Sequence, residues 1–288
     1  MADLGAATVE TPLGEVDYED DGQGPPVLFV HGSPGGSDQG ALMGGFLVSS
    51  GLRVIAPSRP GYLRTPLSEL TATPDAQADL LAAVMEALGI VRFAVVCWSG
   101  GGPSAYRLAA RYPERVTALV SLAGVSRPYR FEHPHEEGLL TGRVGKWMMK
   151  EMMRHSPKGV VKMMAGEEGD LTKEQLKELA EHIWSEPAKR AFVLELMATV
   201  SGDRKAGLHN DQKQFPAVKD LELSRVQAAT LLVHGTVDTD VPPDNSQHAL
   251  AEIPRAEIVW IDNGTHIATW TDPTSDAIQA RITEFLGP

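Results

Sequence analysis

Short apolar runs that alternate with amphipathic segments constrain the fold of this chain more than any other feature. Each run is apolar throughout rather than at every second residue, a pattern typical of strands in a parallel sheet that is buried on both faces. The segments between the runs favour helices, most clearly over 74–88, 103–111 and about 273–286. The alternation predicts an α/β fold, with a mostly parallel central sheet flanked by helices. The apolar runs lie at residues 27–30, 53–56, 93–96, 117–121, 229–233 and 257–260.

The alternation lapses between residues 126 and 208. There the chain becomes helical in pattern, charged and rich in methionine, as in residues 146–154. Because this interval separates two strands of one sheet, we expect an inserted helical cap rather than an independently folding domain. The predicted division is a core formed by residues 1–125 and 209–288, with a cap over residues 126–208. A chain of 288 residues is long enough for one such core with an insertion.

Charge and cysteine content exclude several classes of protein. The chain has 26 Lys and Arg against 38 Asp and Glu, a formal net charge of −12, with no basic run to contact phosphates. The acidic first residues do not resemble a secretory signal, and no apolar run approaches the roughly 18 residues of a membrane span. A single cysteine, Cys97, excludes an internal disulfide. We therefore expect a cytoplasmic protein that acts on a small molecule and binds neither nucleic acid nor membranes.

Ser99 is the candidate nucleophile. It lies between a predicted strand and a predicted helix, and a serine on such a tight turn has a strained backbone that requires small neighbours two residues away on either side. Cys97 and Gly101 occupy those positions. The position also places the amide of Gly100 where it can donate to a developing oxyanion. The same residues are compatible with a glycine-rich turn that carries no chemistry.

The loop at residues 31–36 follows the first apolar run and is rich in glycine. Glycines let the main chain approach a ligand, so the amide of Ser33 is the candidate for the second oxyanion donor. We interpret His31 as a structural residue that holds this loop by a hydrogen bond. A plain turn between a strand and a helix is the alternative.

Candidates for the acid and the base follow the last two apolar runs. Asp238 can accept the Nδ1 proton of a histidine, with Asp240 as the nearby alternative and the spacing from the turn at Gly235 favouring Asp238. His266 lies just beyond the end of a predicted strand, from which an imidazole can reach across the sheet. The chain order Ser99, Asp238, His266 is the order expected when a triad is built on this architecture.

These motifs carry a resemblance to a known family. Over nearly its whole length the sequence resembles α/β-hydrolases. Within that family, its loop at residues 31–36 and the tight turn at Ser99, known as the nucleophile elbow, are similar to those of proline iminopeptidase-like enzymes and of monoester and carbon–carbon bond hydrolases. The resemblance implies the α/β-hydrolase fold and hydrolysis through an acyl-enzyme, without a metal or another cofactor. Cys97, where the family usually has glycine, is the clear departure. The matching segments are residues 31–34, 59–62, 98–103, 235–238 and 264–266.

We favour a carboxylesterase that acts on a small or medium hydrophobic acyl ester. An aminopeptidase is the first alternative, because acidic cap residues could capture an amino terminus; a carbon–carbon bond hydrolase and a ligand receptor on the same fold are the others. Two histidines and three glutamates at 132–137 could suggest a metal site, but we interpret this proline-broken stretch as a polar lid edge. The acidic candidates are Glu132, Glu136, Glu137, Glu167 and Glu168, and the two histidines are His133 and His135.

Apolar residues of the elbow and the cap are the candidates for a substrate pocket. Methionine side chains adapt to ligands of varied shape, although most of those in the cap are expected to form its own core. The pocket candidates are Trp98, Trp147, Met148 and Met152, with Met149, Met153, Met163 and Met164 in the same clusters.

Overall fold

A computed structural model of the chain describes residues 7–131 and 143–287. It contains an eight-stranded sheet in the order β1-β2-β4-β3-β5-β6-β7-β8. The strands from β3 to β8 pair in parallel, and β2 pairs antiparallel with both β1 and β4. Every apolar run in the sequence is a strand of this sheet, which confirms the predicted fold. The strands are β1 Ala7–Thr11, β2 Gly14–Asp21, β3 Pro26–Val30, β4 Arg53–Pro57, β5 Phe93–Trp98, β6 Val116–Leu122, β7 Ala229–Gly235 and β8 Ala256–Ile261.

Burial on both faces explains why the central strands are apolar throughout. Successive residues of a strand point to opposite faces, so Phe29 and Val96 contribute to one hydrophobic cluster while Leu28 and Val95 contribute to the other. All six residues of β5 are buried. This strand therefore delivers the residue that follows it, Ser99, to the middle of the sheet's carboxyl edge.

Helices cover both faces of the sheet. The predicted helices at 74–88, 103–111 and about 273–286 are α2, α3 and α11, whose ends differ from the prediction by no more than two residues. Short 3-10 turns cover Ser99–Gly101, Phe215–Ala217 and Leu223–Arg225. The helices are α1 Ser37–Ser49, α2 Pro74–Ala87, α3 Gly102–Arg111, α4 Arg143–His155, α5 Pro157–Glu167, α6 Lys173–Ser185, α7 Pro187–Ala198, α8 Lys205–Gln214, α9 Asp244–Glu252, α10 Ala268–Thr271 and α11 Ser275–Leu286.

Between β6 and β7 the described chain is helical, from α4 to α8. The predicted cap falls within this interval, and its division from the core at residues 126 and 208 stays a prediction. The segment between α5 and α6 returns to the sheet, where the amide of Asp170 donates to the carbonyl of Val237 at 2.9 Å and Gly169 pairs with Asp238. This contact joins the helical insertion to the loop that follows β7.

The sequence pattern does not predict the antiparallel strands β1 and β2. β2 contains five acidic residues among its eight, and most of its residues are not buried. Such a strand lies near the edge of the sheet, where one face and part of the other meet solvent, so it lacks the continuous apolar run that identified the inner strands. Among the described residues, no helix is both long and apolar enough to cross a membrane. The cytoplasmic location stays a prediction.

Candidate active site

Ser99 follows β5 directly and opens a 3-10 turn that continues into α3. Its backbone φ is 52°, in the left-handed region that side chains rarely adopt. A strained residue of this kind persists only where its surroundings hold it, and such residues cluster at functional sites. The geometry is that of the nucleophile elbow predicted from sequence, with Ser99 5% exposed at the carboxyl edge of the sheet.

The residues two before and two after Ser99 differ in how much space they have. A Cβ on Gly101 would lie 2.3 Å from the carbonyl oxygen of Val30, so only glycine fits there. Cys97 is fully buried on the other side of the turn. Its sulfur lies beside Gly124, where an added Cβ would be in ordinary van der Waals contact with it at 3.6 Å. Burial raises the pKa of the Cys97 thiol to about 12, so this cysteine is a small apolar residue rather than a nucleophile.

Asp238 and His266 form a buried pair. The Nδ1 atom of His266 lies 2.7 Å from Oδ2 of Asp238, and both side chains are 0% exposed. The carboxylate accepts the Nδ1 proton and so fixes the orientation and tautomer of the ring. The structure thus places the acid and the histidine where the sequence predicted them, at the ends of β7 and β8.

Asp238 is itself held by three further contacts. Its Oδ1 accepts from the amides of Asp240 at 3.0 Å and Val241 at 2.9 Å. The Nε2 atom of His234, which donates to the carbonyl of Val241 at 2.8 Å, lies 3.1 Å from Oδ2 of Asp238. Burial alone would raise the pKa of Asp238, but the charge of His266 and hydrogen bonds from both histidines lower it below its ordinary value. The acid therefore stays ionised beside His266.

The second contact of the triad is open in this structure. Within the described residues, Nε2 of His266 has no hydrogen-bond partner, so it makes no hydrogen bond to Ser99. Trp98, the residue before Ser99, links the elbow to His266: its ring lies 4.9 Å from the His266 ring and its indole N–H donates to the His266 carbonyl at 3.3 Å. Catalytic hydrogen bonds are commonly long before substrate binds and shorten in the complex.

Two further carboxylates surround His266. Oδ2 of Asp240 lies 3.2 Å from Nε2, and the carbonyl of Glu168 accepts the backbone N–H of His266 at 3.0 Å. Ligand atoms of Glu168, Asp240 and His266 all lie within 4.8 Å of one another. Burial lowers the pKa of His266, but attraction to Asp238, Asp240 and Glu168 outweighs it and raises the pKa to about 10. The sequence had offered Asp240 only as an alternative to Asp238, and nothing local in it pairs Glu168 with His266.

The predicted oxyanion donors Ser33 and Gly100 are direct neighbours. A Cβ on Gly100 would lie 2.2 Å from the Ser33 hydroxyl oxygen, which shows how closely the two loops meet. Among the described residues, the amide of Ser33 donates to no other group. The loop at residues 31–36 therefore packs against the elbow, and a Cβ on Gly32 would lie 3.2 Å from the Ser99 Cβ. The role of the two amides as oxyanion donors stays a prediction. His31 is structural as expected: its Nε2 accepts from the amide of Arg59 at 2.8 Å.

Asp211 on α8 supports this loop, although no local sequence pattern singles it out. Its carboxylate accepts from both terminal nitrogens of Arg59, at 2.9 and 2.8 Å, and both side chains are 1% exposed. It also accepts from the hydroxyls of Ser33 and Tyr62, each at 2.5 Å. The partners come from segments more than 140 residues away, so spacing along the chain gives no signal for the cluster.

The pocket candidates of the cap require correction. Trp147, Met148 and Met152 are 63%, 48% and 37% exposed, so these side chains face solvent instead of lining a buried pocket. Positions that face the protein interior recur about one turn apart along a helix, and in α4 Met149 is the methionine that is buried. Composition marks the helix as apolar but does not say which of its faces turns inward. Trp98, in contrast, is 7% exposed and packs against both His266 and Trp270.

Some sequence candidates lie outside the described part of the chain. These are Glu132, His133, His135, Glu136 and Glu137, together with the side chain of Glu167.

Comparison with known proteins agrees with this geometry. A family model described as alpha/beta hydrolase fold matches residues 25–273. A solved alpha/beta hydrolase fold protein from Nakamurella multipartita is 48% identical, covers 98% of each chain and superposes with a TM-score of 0.92. The esterase from Thermogutta terrifontis, at 22% identity, covers 98% of this chain and 99% of its own with a TM-score of 0.63, a likeness of fold alone.

A curated relative is also similar over most of its length. The 2-hydroxy-6-oxononadienedioate/2-hydroxy-6-oxononatrienedioate hydrolase 2 of Pseudomonas putida is 28% identical over 269 residues, which is 89% of this chain and 88% of the relative. Because the family model spans most of this chain, this protein belongs to the alpha/beta hydrolase fold family.

Proposed function

We propose that this chain is a serine hydrolase that cleaves small or medium hydrophobic carboxylic esters through an acyl-enzyme. One observation carries the proposal: Ser99 lies at the same edge of the sheet as the buried pair of His266 and Asp238. Ser99 has a strained backbone with φ 52°, and Nδ1 of His266 lies 2.7 Å from Oδ2 of Asp238. A nucleophile, a base and a group that orients the base are the parts that acyl transfer requires.

In the proposed reaction Nε2 of His266 takes the hydroxyl proton of Ser99, and the serine oxygen attacks the ester carbon. The amides of Ser33 and Gly100 stabilise the oxyanion, and His266 then protonates the leaving alcohol. Water attacks the acyl-enzyme with His266 again as base, which releases the acid and restores Ser99. Each oxyanion donor contributes about 3 kcal/mol to the barrier reduction. Because a base must be neutral, attraction to Asp240 and Glu168 opposes the first step, and we expect bound substrate to separate His266 from them.

The surroundings of His266 support an uncharged, hydrophobic substrate. Three carboxylates act on the imidazole, and an anionic substrate would be repelled by them. Aromatic rings continue from the site: Trp98 packs on His266 and on Trp270, and Trp270 stacks on Phe192 of α7 at 5.5 Å. The name of the Pseudomonas putida relative specifies a dioate, which carries two carboxylates. The proposed neutral ester differs from such a diacid because it carries no charge for the three carboxylates to repel.

The nucleophile is tested with Ser99→Ala. This variant is expected to fold and to lose turnover of every acyl ester, and wild-type protein is expected to react at Ser99 with a fluorophosphonate probe. A retained fold with wild-type ester hydrolysis would disprove the role of Ser99. Slow or absent labelling of the wild type would favour a ligand receptor on the same fold.

Substrate charge is tested with a matched pair of nitrophenyl esters, a butyrate and a hemisuccinate of the same chain length. We expect a higher kcat/KM for the butyrate, with the difference shrinking at high salt because the repulsion is screened. A preference for the hemisuccinate would contradict the proposal and favour the carbon–carbon bond hydrolase.

An aminopeptidase is the second candidate, and the carboxylates of Glu168 and Asp240 beside His266 favour it, since they could hold a substrate ammonium group. Comparing an aryl acetate with a proline arylamide separates the two activities. Faster release of the arylamine would favour the aminopeptidase. A small-molecule substrate, without nucleic acid or membrane partners, is part of both proposals.

A further inference from the structure

Asp240 and Glu168 have no part in the proposed acyl transfer, yet both carboxylates point at the nitrogen that the reaction needs. Nε2 of His266 is buried, makes no hydrogen bond within the described residues, and lies 3.2 Å from Oδ2 of Asp240. Glu168, Asp240 and His266 each offer one possible ligand atom to this group, and the three atoms all lie within 4.8 Å of one another. Any ion or group that binds between these side chains would therefore contact Nε2 of His266 directly.

The spacing suits a small metal ion. Ligands at about 2.0–2.2 Å from a tetrahedral zinc ion are separated from one another by roughly 3.3–3.6 Å. The pair Nε2 of His266 and Oδ2 of Asp240, at 3.2 Å, is already near that separation. Imidazole nitrogen with two carboxylates is a zinc-type donor set, whereas magnesium and calcium prefer oxygen alone.

The orientation of the ring is also that of a metal ligand. His266 directs Nδ1 to Oδ2 of Asp238 at 2.7 Å, which leaves Nε2 as the atom that can bind an ion. A histidine that binds a metal characteristically donates its other ring N–H to a carboxylate, which fixes its tautomer. Asp238 therefore supports metal binding by the same contact that supports catalysis.

The two carboxylates belong to segments that are tied in place. The amide of Asp240 donates to Asp238 at 3.0 Å, and its carbonyl accepts the hydroxyl of Tyr129 at 2.8 Å. The carbonyl of Glu168 accepts the amide of His266 at 3.0 Å. The side chain of Asp240 is 43% exposed while that of His266 is 0% exposed, so solvent reaches one ligand of the group while the histidine nitrogen is buried.

We propose that His266, Asp240 and Glu168 form an inhibitory binding site for a divalent ion of the zinc class, with a fourth position for water. An ion on Nε2 occupies the electron pair that accepts the proton of Ser99, so binding and catalysis exclude each other. Inhibition rests on the proposed function, because it requires His266 to be the base; binding of the ion does not.

The test is calorimetric titration of the purified, chelator-treated chain with zinc chloride, without substrate. We expect one ion per chain. Asp240→Asn and Glu168→Gln each replace a charged carboxylate ligand with a neutral amide and are expected to weaken binding by about tenfold or more. Should one of them fail to fold, the other decides alone.

His155→Asn is the matched control. His155 and Glu151 form an exposed pair on α4, with 3.1 Å between Nε2 and Oε2. They offer the same two kinds of ligand atom as the proposed site, but they lack a third ligand and are not buried. This variant is expected to bind zinc like the wild type. Absence of binding, equal affinity in Asp240→Asn and Glu168→Gln, or loss of binding in His155→Asn would each overturn the proposal.

Activity gives the second measurement. Zinc is expected to suppress turnover of the best ester substrate and a chelator to restore it, and turnover that continues with the site saturated would disprove inhibition. If no ester is hydrolysed, the proposed function fails while the titration still decides the site.

Discussion

The two halves of the candidate active site are held in different ways. Ser99 and its oxyanion neighbours lie at the ends of β3 and β5 and are fixed by close backbone packing, as between Gly101 and the Val30 carbonyl. Asp238 and His266 lie at the ends of β7 and β8. The segment between α5 and α6 bonds to this half through Glu168, which accepts from the His266 amide, and through Asp170, which donates to the Val237 carbonyl. The serine half is held by backbone packing between core strands and by Asp211 of α8, whereas the histidine half is held by the segment between α5 and α6.

This difference indicates where the insertion can act on the chemistry. A displacement of residues 168–170 would move the His266 amide and the Val237 carbonyl, both of which bond to it, and would leave the elbow in place. We therefore expect changes in this segment to alter the base before they alter the nucleophile. Substitutions that affect one half at a time test the distinction.

The largest effect is expected from Asp238→Asn, which targets the histidine half. An asparagine cannot accept the Nδ1 proton as a carboxylate does, so the ring is left in the wrong tautomer and kcat should fall about 10⁴-fold. Steady-state kinetics on the best ester measures it, with KM little changed. A fall of less than tenfold would mean that Asp238 does not orient the base.

The next effect is expected from Asp211→Asn, which targets the serine half. Neutralising one member of the buried Arg59–Asp211 pair leaves an uncompensated charge and should lower the free energy of unfolding by about 3–5 kcal/mol. Denaturant unfolding measures the change. The control is Glu181→Gln in the exposed pair with Lys158, where a loss below about 1 kcal/mol is expected. Equal losses in the two variants would contradict the assigned role of the buried cluster.

A smaller effect is expected from Gly169→Ala at the contact between insertion and histidine loop. The added methyl would lie 2.7 Å from Cγ2 of Thr265 and 3.1 Å from the Val237 carbonyl oxygen. We expect a loss of about 1–3 kcal/mol of stability and a lower kcat, because the crowding displaces the loop before His266. Gly45→Ala, where a Cβ meets nothing within 4 Å, should instead gain about 0.5–1 kcal/mol without a change in kcat.

The smallest effect is expected from Glu19→Gln on β2, away from both halves. Burial, with the charges of Asp38, Asp17 and Asp21, raises the pKa of Glu19 from 4.5 to about 7. A carboxyl whose pKa is raised on folding contributes stability at low pH that is lost as pH rises through the folded value. The variant should therefore gain stability relative to wild type between pH 5 and pH 8, as thermal unfolding can measure. A constant difference across that range would contradict the raised pKa.

Local pattern was enough to predict most of the sheet and the position of the triad residues. Buried parallel strands need continuous apolar runs, and parallel strands bring their carboxyl ends to one edge, so residues that follow such runs converge there. β1 and β2 escaped prediction because strands near a sheet edge are not required to be apolar. The outward side chains of Trp147, Met148 and Met152 escaped it because composition does not orient a helix.

What the sequence determined by itself is the order of strands and turns, and with it the places of Ser99, Asp238 and His266. These depend on interactions between residues close together in the chain, such as the apolar run before an elbow and the glycine after it. Only the tertiary structure decided that Asp211 supports Ser33 and that Glu168 and Asp240 meet His266. Those contacts join segments far apart in sequence, and the charges of three carboxylates act on one imidazole only once folding has removed the water between them.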